Sequence, residues 1–314
     1  PLGAFLSGGI DSSAVVGRLA AVGDAAHLNT CSISFGDPKF NESDYARLVA
    51  ERYNTAHHVL QVHSDDFDLL ETLGHVYDEP FADPSAIPTY RLCEMTRKHV
   101  TVALSGDGGD ELLAGYSRYR FHVAESRARS LLPTSIAKPL FGALGAVYPK
   151  ADWAPKFVRA KTTFQALAKD TVSAYLGTVS LMSTELRREV FSNDFKRTLG
   201  GYCAMEVFRM HLSNAPNLDP LSLAQYLDVK TYLPGDILTK VDRASMHHSL
   251  EVRVPLLDHK LVEWMAKVPT SLRLRGGEGK YLLKKSMEPH LPNDILYRRK
   301  MGFSVPLASW LRGP

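Results

Sequence analysis

Leu2, Ala4, Phe5 and Leu6 form a short apolar run, and Ser7-Gly8-Gly9-Ile10-Asp11-Ser12-Ser13 follows it directly. Beyond that turn Ala14, Val15, Val16 and Leu19 recur at helical spacing. A buried strand that feeds a helix through a tight glycine turn aims its N–H groups at one spot, with the positive end of the helix dipole behind them. Such a spot suits phosphate. The two glycines let the backbone come close, and Ser7, Ser12 and Ser13 add hydroxyls. An ordinary strand-to-helix turn uses the same residue types. Asp11 argues against that plain reading, because a bare carboxylate repels a phosphate unless a divalent cation sits between them. No Lys-Ser/Thr pair follows the glycines, so the stretch is not a Walker A loop, and it is not the fingerprint G-x-G-x-x-G.

The next 90 or so residues repeat the alternation. Strands are expected over 30–35, 58–62 and 100–104. Helices are expected from an Asn41 cap to residue 53, from Asp65 or Asp66 through Phe67, Leu70, Leu73 and Val76, and over 87–98, with a loop over 78–85. Strands alternating with helices predict an α/β fold, a parallel sheet with helices on both faces, joined by right-handed crossovers. Ligands in such sheets bind at the carboxyl ends of the strands. The first and fourth strands both deliver glycine-rich turns there. The second turn, Ser105-Gly106-Asp107-Gly108-Gly109-Asp110-Glu111 with Gly115-Tyr116 beyond it, packs three glycines among three carboxylates before Gly115. A solvated acidic loop is one reading. A shared site is the other, in which Asp11 and Asp110 hold one Mg²⁺ on a polyphosphate.

From 116 to 218 the pattern is weak, and prolines at 133, 139, 149 and 155 cut it into short helices. Arg118, Arg120, Arg127 and Arg129 read as a solvated face in preference to an RNA contact, and Trp153, Phe157 and Phe164 as core in preference to a base-stacking surface. The 232–258 segment is dense again. Pro234 suits a first helical turn. Leu238, Val241 and Ser245 are expected to face inward, with Lys240, Asp242 and Arg243 on other faces. Glu251 and Arg253 lie among apolar residues, as a buried ion pair or as part of a site. Asp258 is expected to cap a helix through Leu261, Trp264, Met265 and Val268. Gly276-Gly277-Glu278-Gly279-Lys280 reads as a mobile lid-like loop before a helix over 281–289. Its lysine lies either over a pyrophosphate or at the surface. Arg298-Arg299-Lys300 is a basic run followed by the apolar residues Met301, Phe303, Val305 and Pro306.

The bulk numbers set bounds. A length of 314 residues favours two domains, drawn at 1–115 and 116–314, the second mostly helical. A net charge of +3 is too small to argue for nucleic acid, and no apolar run approaches a membrane span. Neither kind of partner is expected; a homodimer is left open. Cys31, Cys93 and Cys203 share no metal-ligand spacing and do not pair evenly, which points to a reducing, cytoplasmic setting. The abrupt ends, Pro1 entering a strand and Trp310-Leu311-Arg312-Gly313-Pro314, suggest an excised fragment.

Four ordered motifs carry a resemblance. Ser7 to Ser12 is similar to the PP-loop of ATP pyrophosphatases. Ser105 to Tyr116, Leu238 to Asp258, and Lys280 with Leu283-Lys284 resemble the second and third signatures and the catalytic-lysine segment of the asparagine synthetase family's synthetase domain. The 78–89 stretch fits its bacterial branch. The resemblance implies an adenine nucleotide alpha hydrolase-like PP-loop fold with a largely helical C-terminal part. It implies an N-terminal glutaminase domain in the full-length protein and the substrates ATP, aspartate and ammonia. In the implied reaction the aspartate β-carboxylate attacks the α-phosphorus of ATP, pyrophosphate leaves, and ammonia displaces AMP. An amidotransferase paralogue with another carboxylate substrate is the alternative. The implied roles are Mg²⁺ on Asp11 and Asp110, and pyrophosphate along Ser7, Gly8, Gly9, Asp11 and Ser12. Lys280 would act on the α-phosphate and Arg243 on a phosphate, with Ser105 and Gly106 by the ribose or α-phosphate. Leu6, Ile33 and Phe35 would form the adenine pocket. Asp110, Glu111 and Tyr116 would line the acyl-substrate side.

Overall fold

A computed structural model describes residues 1–23, 27–63, 69–149, 160–215 and 217–302. The expectations placed on Asp65, Asp66, Phe67, Trp153, Pro155, Phe157, Phe303, Val305 and Pro306 lie outside the described residues. The strands are β1 (Leu2–Phe5), β2 (Asn29–Phe35), β3 (Ala56–Val62), β4 (Val102–Leu104) and β5 (Glu251–Arg253), and the helices among the first four are α1 (Ile10–Val22), α2 (Ser43–Tyr53), α3 (Leu70–Tyr77), α4 (Ala86–Arg97) and α5 (Gly109–Leu113). The five strands form one parallel sheet in the order β3-β2-β1-β4-β5. The α/β architecture is the one the alternating pattern predicts. Its fifth strand is an addition: Glu251–Arg253 is short, and its charged pair reads from the sequence as an ion pair or as part of a site, not as a strand.

Side chains alternate across the sheet, so each face collects its own core. Phe5, Cys31, Ile33 and Phe35 pack with Leu73, Tyr77, Ile87 and Tyr90 of α3 and α4 on one face. Ala4 and Leu6 pack with Val16 and Val49 of α1 and α2 on the other. β1 is buried along all but its first residue, as expected for a central parallel strand covered on both faces. Each buried aliphatic side chain here contributes roughly 1.5–3 kcal/mol relative to exposure.

Packing divides the chain into two compact units, one of residues Pro1–Leu113, Thr231–Arg275 and the chain from Lys280 on, the other of Ala114–Lys230 with Gly276–Gly279. The sequence-drawn division at 115 and 116 follows different bounds. Hydrophobic burial explains the return of the later segments to the sheet unit. Ala244 and Leu250 complete the first core, and Met287, Leu291, Ile295 and Leu296 complete the second.

The second unit is helical. Three of its helices begin on serine or aspartate caps: Asp170 accepts from the Val172 and Ser173 N–H groups, Ser183 from Leu186 and Ser192 from Phe195. Its interior holds a charged centre. Asp228 is fully buried, and its Oδ2 accepts from Arg118 (2.7 Å), Tyr119 (2.5 Å) and Tyr175 (2.7 Å). Arg118 is therefore not part of a solvated face. It is one partner of a buried pair, and the carboxylate raises its pKa further despite burial, which alone would lower it.

Candidate active site

The first turn braces itself. Ser7 N–H donates to Ser12 Oγ (3.2 Å), Gly9 N–H donates to Ser7 Oγ (3.2 Å), and Ser12 Oγ donates to the Gly9 carbonyl (3.2 Å). Gly8 has φ +69°, and a Cβ there would stand 2.5 Å from the Ala46 nitrogen of α2, so only glycine fits. Of the serine hydroxyls expected as ligand donors, those of Ser7 and Ser12 are engaged within the turn, whereas Ser13 Oγ is buried with no hydrogen-bond partner among the described residues.

The second turn starts where β4 ends. Ser105 N–H donates to the Arg253 carbonyl of β5 (2.8 Å), and Ser105 Oγ donates to Asp107 Oδ2 (2.6 Å). Burial pushes the Asp107 carboxyl up, only partly offset by that hydroxyl. The two turns interlock. A Cβ on Gly106 would meet Ser12 N at 2.7 Å and Asp11 C at 2.9 Å, and one on Gly109 would meet Asp11 Oδ1 at 2.6 Å. Because β1 and β4 are neighbours at the point where the strand order reverses, their carboxyl-end turns open into the same crevice.

Lys280 joins the turns. Its N–H donates to the Leu113 carbonyl at the end of α5 (2.7 Å), and its side chain is buried. The ammonium donates to Asp11 Oδ2 and pairs with Asp110 Oδ1 at 2.7 Å. Its backbone lies in the left-handed region at φ 57°, which costs a side-chain-bearing residue on the order of 1 kcal/mol. Burial alone would lower the Lys280 pKa; the two carboxylates raise it well above normal, so the ammonium is charged. Burial also pushes Asp110 up, but Lys280 and Lys300 outweigh it and hold the carboxyl at about 2. Asp11 shifts upward, from burial first and from Asp110 beside it, against the pull of Lys280.

A magnesium-bound triphosphate fits this arrangement on one local observation. Asp11 Oδ1 is buried and accepts no hydrogen bond among the described residues, an expensive condition for a carboxylate oxygen unless a cation completes it. Among the described residues no group of three His, Cys, Asp or Glu side chains could hold a metal alone. Two carboxylates suffice for Mg²⁺ when phosphate oxygens and water supply the rest.

Residues 1–314 match the family model described as asparagine synthase. The chain belongs to the asparagine synthase family. It is 32% identical over 316 residues to asparagine synthetase [glutamine-hydrolyzing] 1 of Bacillus subtilis, covering 99% of this chain and 47% of that protein. It is 34% identical over 315 residues to a putative asparagine synthetase [glutamine-hydrolyzing] of Mycobacterium bovis, covering 99% of this chain and 46% of that one. A more distant relative, amidase chyE of Penicillium rubens, is 24% identical over 355 residues, covering all of this chain and 50% of that protein. The chain thus spans about half the length of the curated relatives it matches.

Other expected positions in this chain lie elsewhere. Leu6 and the pair Ile33 and Phe35 occupy cores on opposite faces of the sheet, because Phe5, not Leu6, is in register with Cys31 and the parity carries along β2. Their three side chains do not share one wall. Arg243 pairs with Asp78 at 3.0 Å, with half of its side chain exposed. Its neighbour Lys240 is buried, contrary to the helical-face reading, and donates to Asp83 Oδ2 (2.6 Å) and Ser85 Oγ (2.7 Å). Val241 and Ser245 are buried as expected, so the buried face of Thr239–His247 is wider than one helical stripe, and Asp83 supplies the anion against which Lys240 is enclosed. Glu251 and Arg253 do pair, at 3.1 Å, but on the exposed edge strand rather than in the interior. Glu111 is buried on α5, while Tyr116 belongs to the second unit. The expected lid over 276–280 is instead two short strands, Leu274–Arg275 and Glu278–Gly279, around a turn in which Gly276 and Gly277 both take positive φ.

Sequence reasoning passed over two residues that meet the turns. Arg298 Nε donates to the Gly8 carbonyl (3.2 Å), its Nη2 pairs with Glu42 (2.5 Å), and its guanidinium lies 4.4 Å from the Tyr45 ring centre. Lys300 Nζ lies 2.5 Å from Asp110 Oδ2. The sequence signal was a run of three consecutive cations ahead of apolar residues, which names no partner for any of them.

Proposed function

We propose that this chain is the ATP-using synthetase part of an amide-forming ligase that adenylates the β-carboxylate of aspartate, releases pyrophosphate, and lets ammonia displace AMP to give asparagine. The observation that carries this reading is the buried Lys280 ammonium held between Asp11 and Asp110 at the ends of two adjacent parallel strands. The family membership and the names of the bacterial relatives support it.

The chemical problem is charge. A carboxylate must approach a triphosphate, and negative charge grows on the leaving pyrophosphate. The glycine turn lets its backbone approach the phosphates closely. Asp11 and Asp110 would hold Mg²⁺, which when bound neutralises the leaving pyrophosphate. Lys280, freed from the carboxylates by that cation, would stabilise charge on the α-phosphate as the bond breaks. Burial makes this ammonium worth more than an exposed one, because water screens it less. Gly106 keeps the second turn close to the first, so the attacking and leaving groups stay in line. Glu111 would face the acyl substrate, and Arg243 would need to leave Asp78 to reach a phosphate. A glutaminase part elsewhere in the full-length protein would supply ammonia, in keeping with the glutamine-hydrolysing names of the relatives.

A second reading keeps the chemistry and changes the acyl substrate; a relative named amidase that aligns over this entire chain favours it. ATP–pyrophosphate exchange with a panel of carboxylates tests both. Exchange that depends on aspartate, with asparagine formed on adding ammonia, is expected. Exchange with a different carboxylate alone selects the second reading, and none with any carboxylate rejects both.

A further inference from the structure

The basic run after the last helix is the one sequence motif that the reaction above does not use. Its three residues differ sharply. Arg298 is about nine-tenths buried and fastened to the first turn through the Gly8 carbonyl and to α2 through Glu42. Arg299 is exposed. Lys300 reaches back to Asp110 Oδ2, on the side of that carboxylate away from the oxygen that Lys280 holds. Nearly half of the Lys300 side chain is exposed, whereas that of Lys280 is almost wholly enclosed.

Two carboxylates, Asp11 and Asp110, face two ammoniums, Lys280 and Lys300. A magnesium ion that takes both carboxylates competes with Lys280 and Lys300 for them. Lys280 is fixed by its backbone and its burial, so it stays beside the turns. Lys300 stands on a long, half-solvated stem whose root is held against the first turn by Arg298 two residues earlier. Released from Asp110, its ammonium remains within side-chain reach of whatever anion the two turns hold, and a polyphosphate supplies the charge that the carboxylates gave up.

We propose that Lys300 is a second polyphosphate-binding cation of this site, which neutralises Asp110 in the free protein and pairs with a phosphate oxygen of the nucleotide once a divalent cation occupies the carboxylates. Arg298 is its positioning residue. The inference rests on the nucleotide reading of the site above.

Calorimetric titration of ATP with Mg²⁺ into wild type, Lys300→Met and Arg299→Met is the test, paired with titration of Mn²⁺ alone followed by electron paramagnetic resonance. Lys300→Met is expected to weaken Mg-ATP binding by about tenfold, whereas Arg299→Met, which removes an exposed charge one residue away, changes it by less than about twofold. Lys300→Arg, which keeps the charge, recovers most of the loss. Mn²⁺ without nucleotide is expected to bind Lys300→Met several-fold more tightly than wild type, because Asp110 has lost an ammonium. Equal Mg-ATP affinity in Lys300→Met and Arg299→Met, or Mn²⁺ affinity unchanged by Lys300→Met, overturns the proposal. Failure of the wild-type chain to bind Mg-ATP at all overturns the reading of the site instead.

Discussion

Gly106→Ala is the sharpest test of the interlocked turns. The added methyl would stand 2.7 Å from Ser12 N, 2.9 Å from Asp11 C and 3.0 Å from Asp11 Cβ. Two of these three atoms are backbone at the start of α1, and none can swing aside. Ordinary contact begins near 3.4 Å, so the second turn must retreat by about 0.7 Å. Overpacking of this kind costs roughly 1–3 kcal/mol. The functional cost is larger in proportion, because a shift on the order of 1 Å in a reacting geometry lowers the rate by about 10²-fold. Asp110 rides on the retreating turn, so its distance to Lys280 and Asp11 grows as well. The assay is ATP–pyrophosphate exchange alongside thermal unfolding, with Gly142→Ala as the control. Gly142 sits inside the helix Thr134–Val147 with nothing within 4 Å of its added methyl, and alanine there is expected to stabilise by about 0.5–1 kcal/mol through helix propensity. Loss of exchange in Gly106→Ala with Gly142→Ala unaffected is expected. Wild-type exchange and melting in Gly106→Ala would mean that the turns do not touch as described, and the argument for a shared site would go with them.

Three further outcomes follow from particular contacts. Lys280→Ala is expected to abolish pyrophosphate exchange while leaving Mg-ATP binding largely intact, since the lysine acts mainly in the transition state; unchanged exchange removes it from the chemistry. Lys240→Met leaves Asp83 mostly buried and without its cation, and should destabilise by about 3–5 kcal/mol in urea unfolding, with Asp83→Asn in the same chain recovering part of the loss. His122 is buried, and burial together with Arg129 lowers its pKa from 6.5 to about 4. The unfolded chain therefore binds the extra proton between those values, so stability falls as the pH drops from 7 to 5, by about 2 kcal/mol from this group. His122→Phe should flatten that part of the pH profile, and an unchanged slope would show that the loss arises elsewhere.

Some of this protein could be read from local sequence alone. The alternation of apolar strand runs with helical spacing over the first hundred or so residues specifies the β1–β4 core of the sheet, because side-chain period and burial are local properties of each segment. Asp258 as a helix cap follows for the same reason, and it accepts from the Lys260 and Leu261 N–H groups. The glycine turns were legible because close backbone approach has few substitutes.

Tertiary structure alone decided the rest. Glu251–Arg253 is a strand only because β4 offers an open edge, and three residues with two charges carry no period of their own. Lys240 turned inward because Asp83, far away in the chain, supplied an anion to bury it against. Arg298 and Lys300 were only two cations of a basic run until the chain folded back onto Gly8 and Asp110, some 290 and 190 residues earlier. Periodicity reports which way a side chain faces along its own segment. The partner that makes a charge worth burying comes from elsewhere in the chain, and only the folded structure brings the two together.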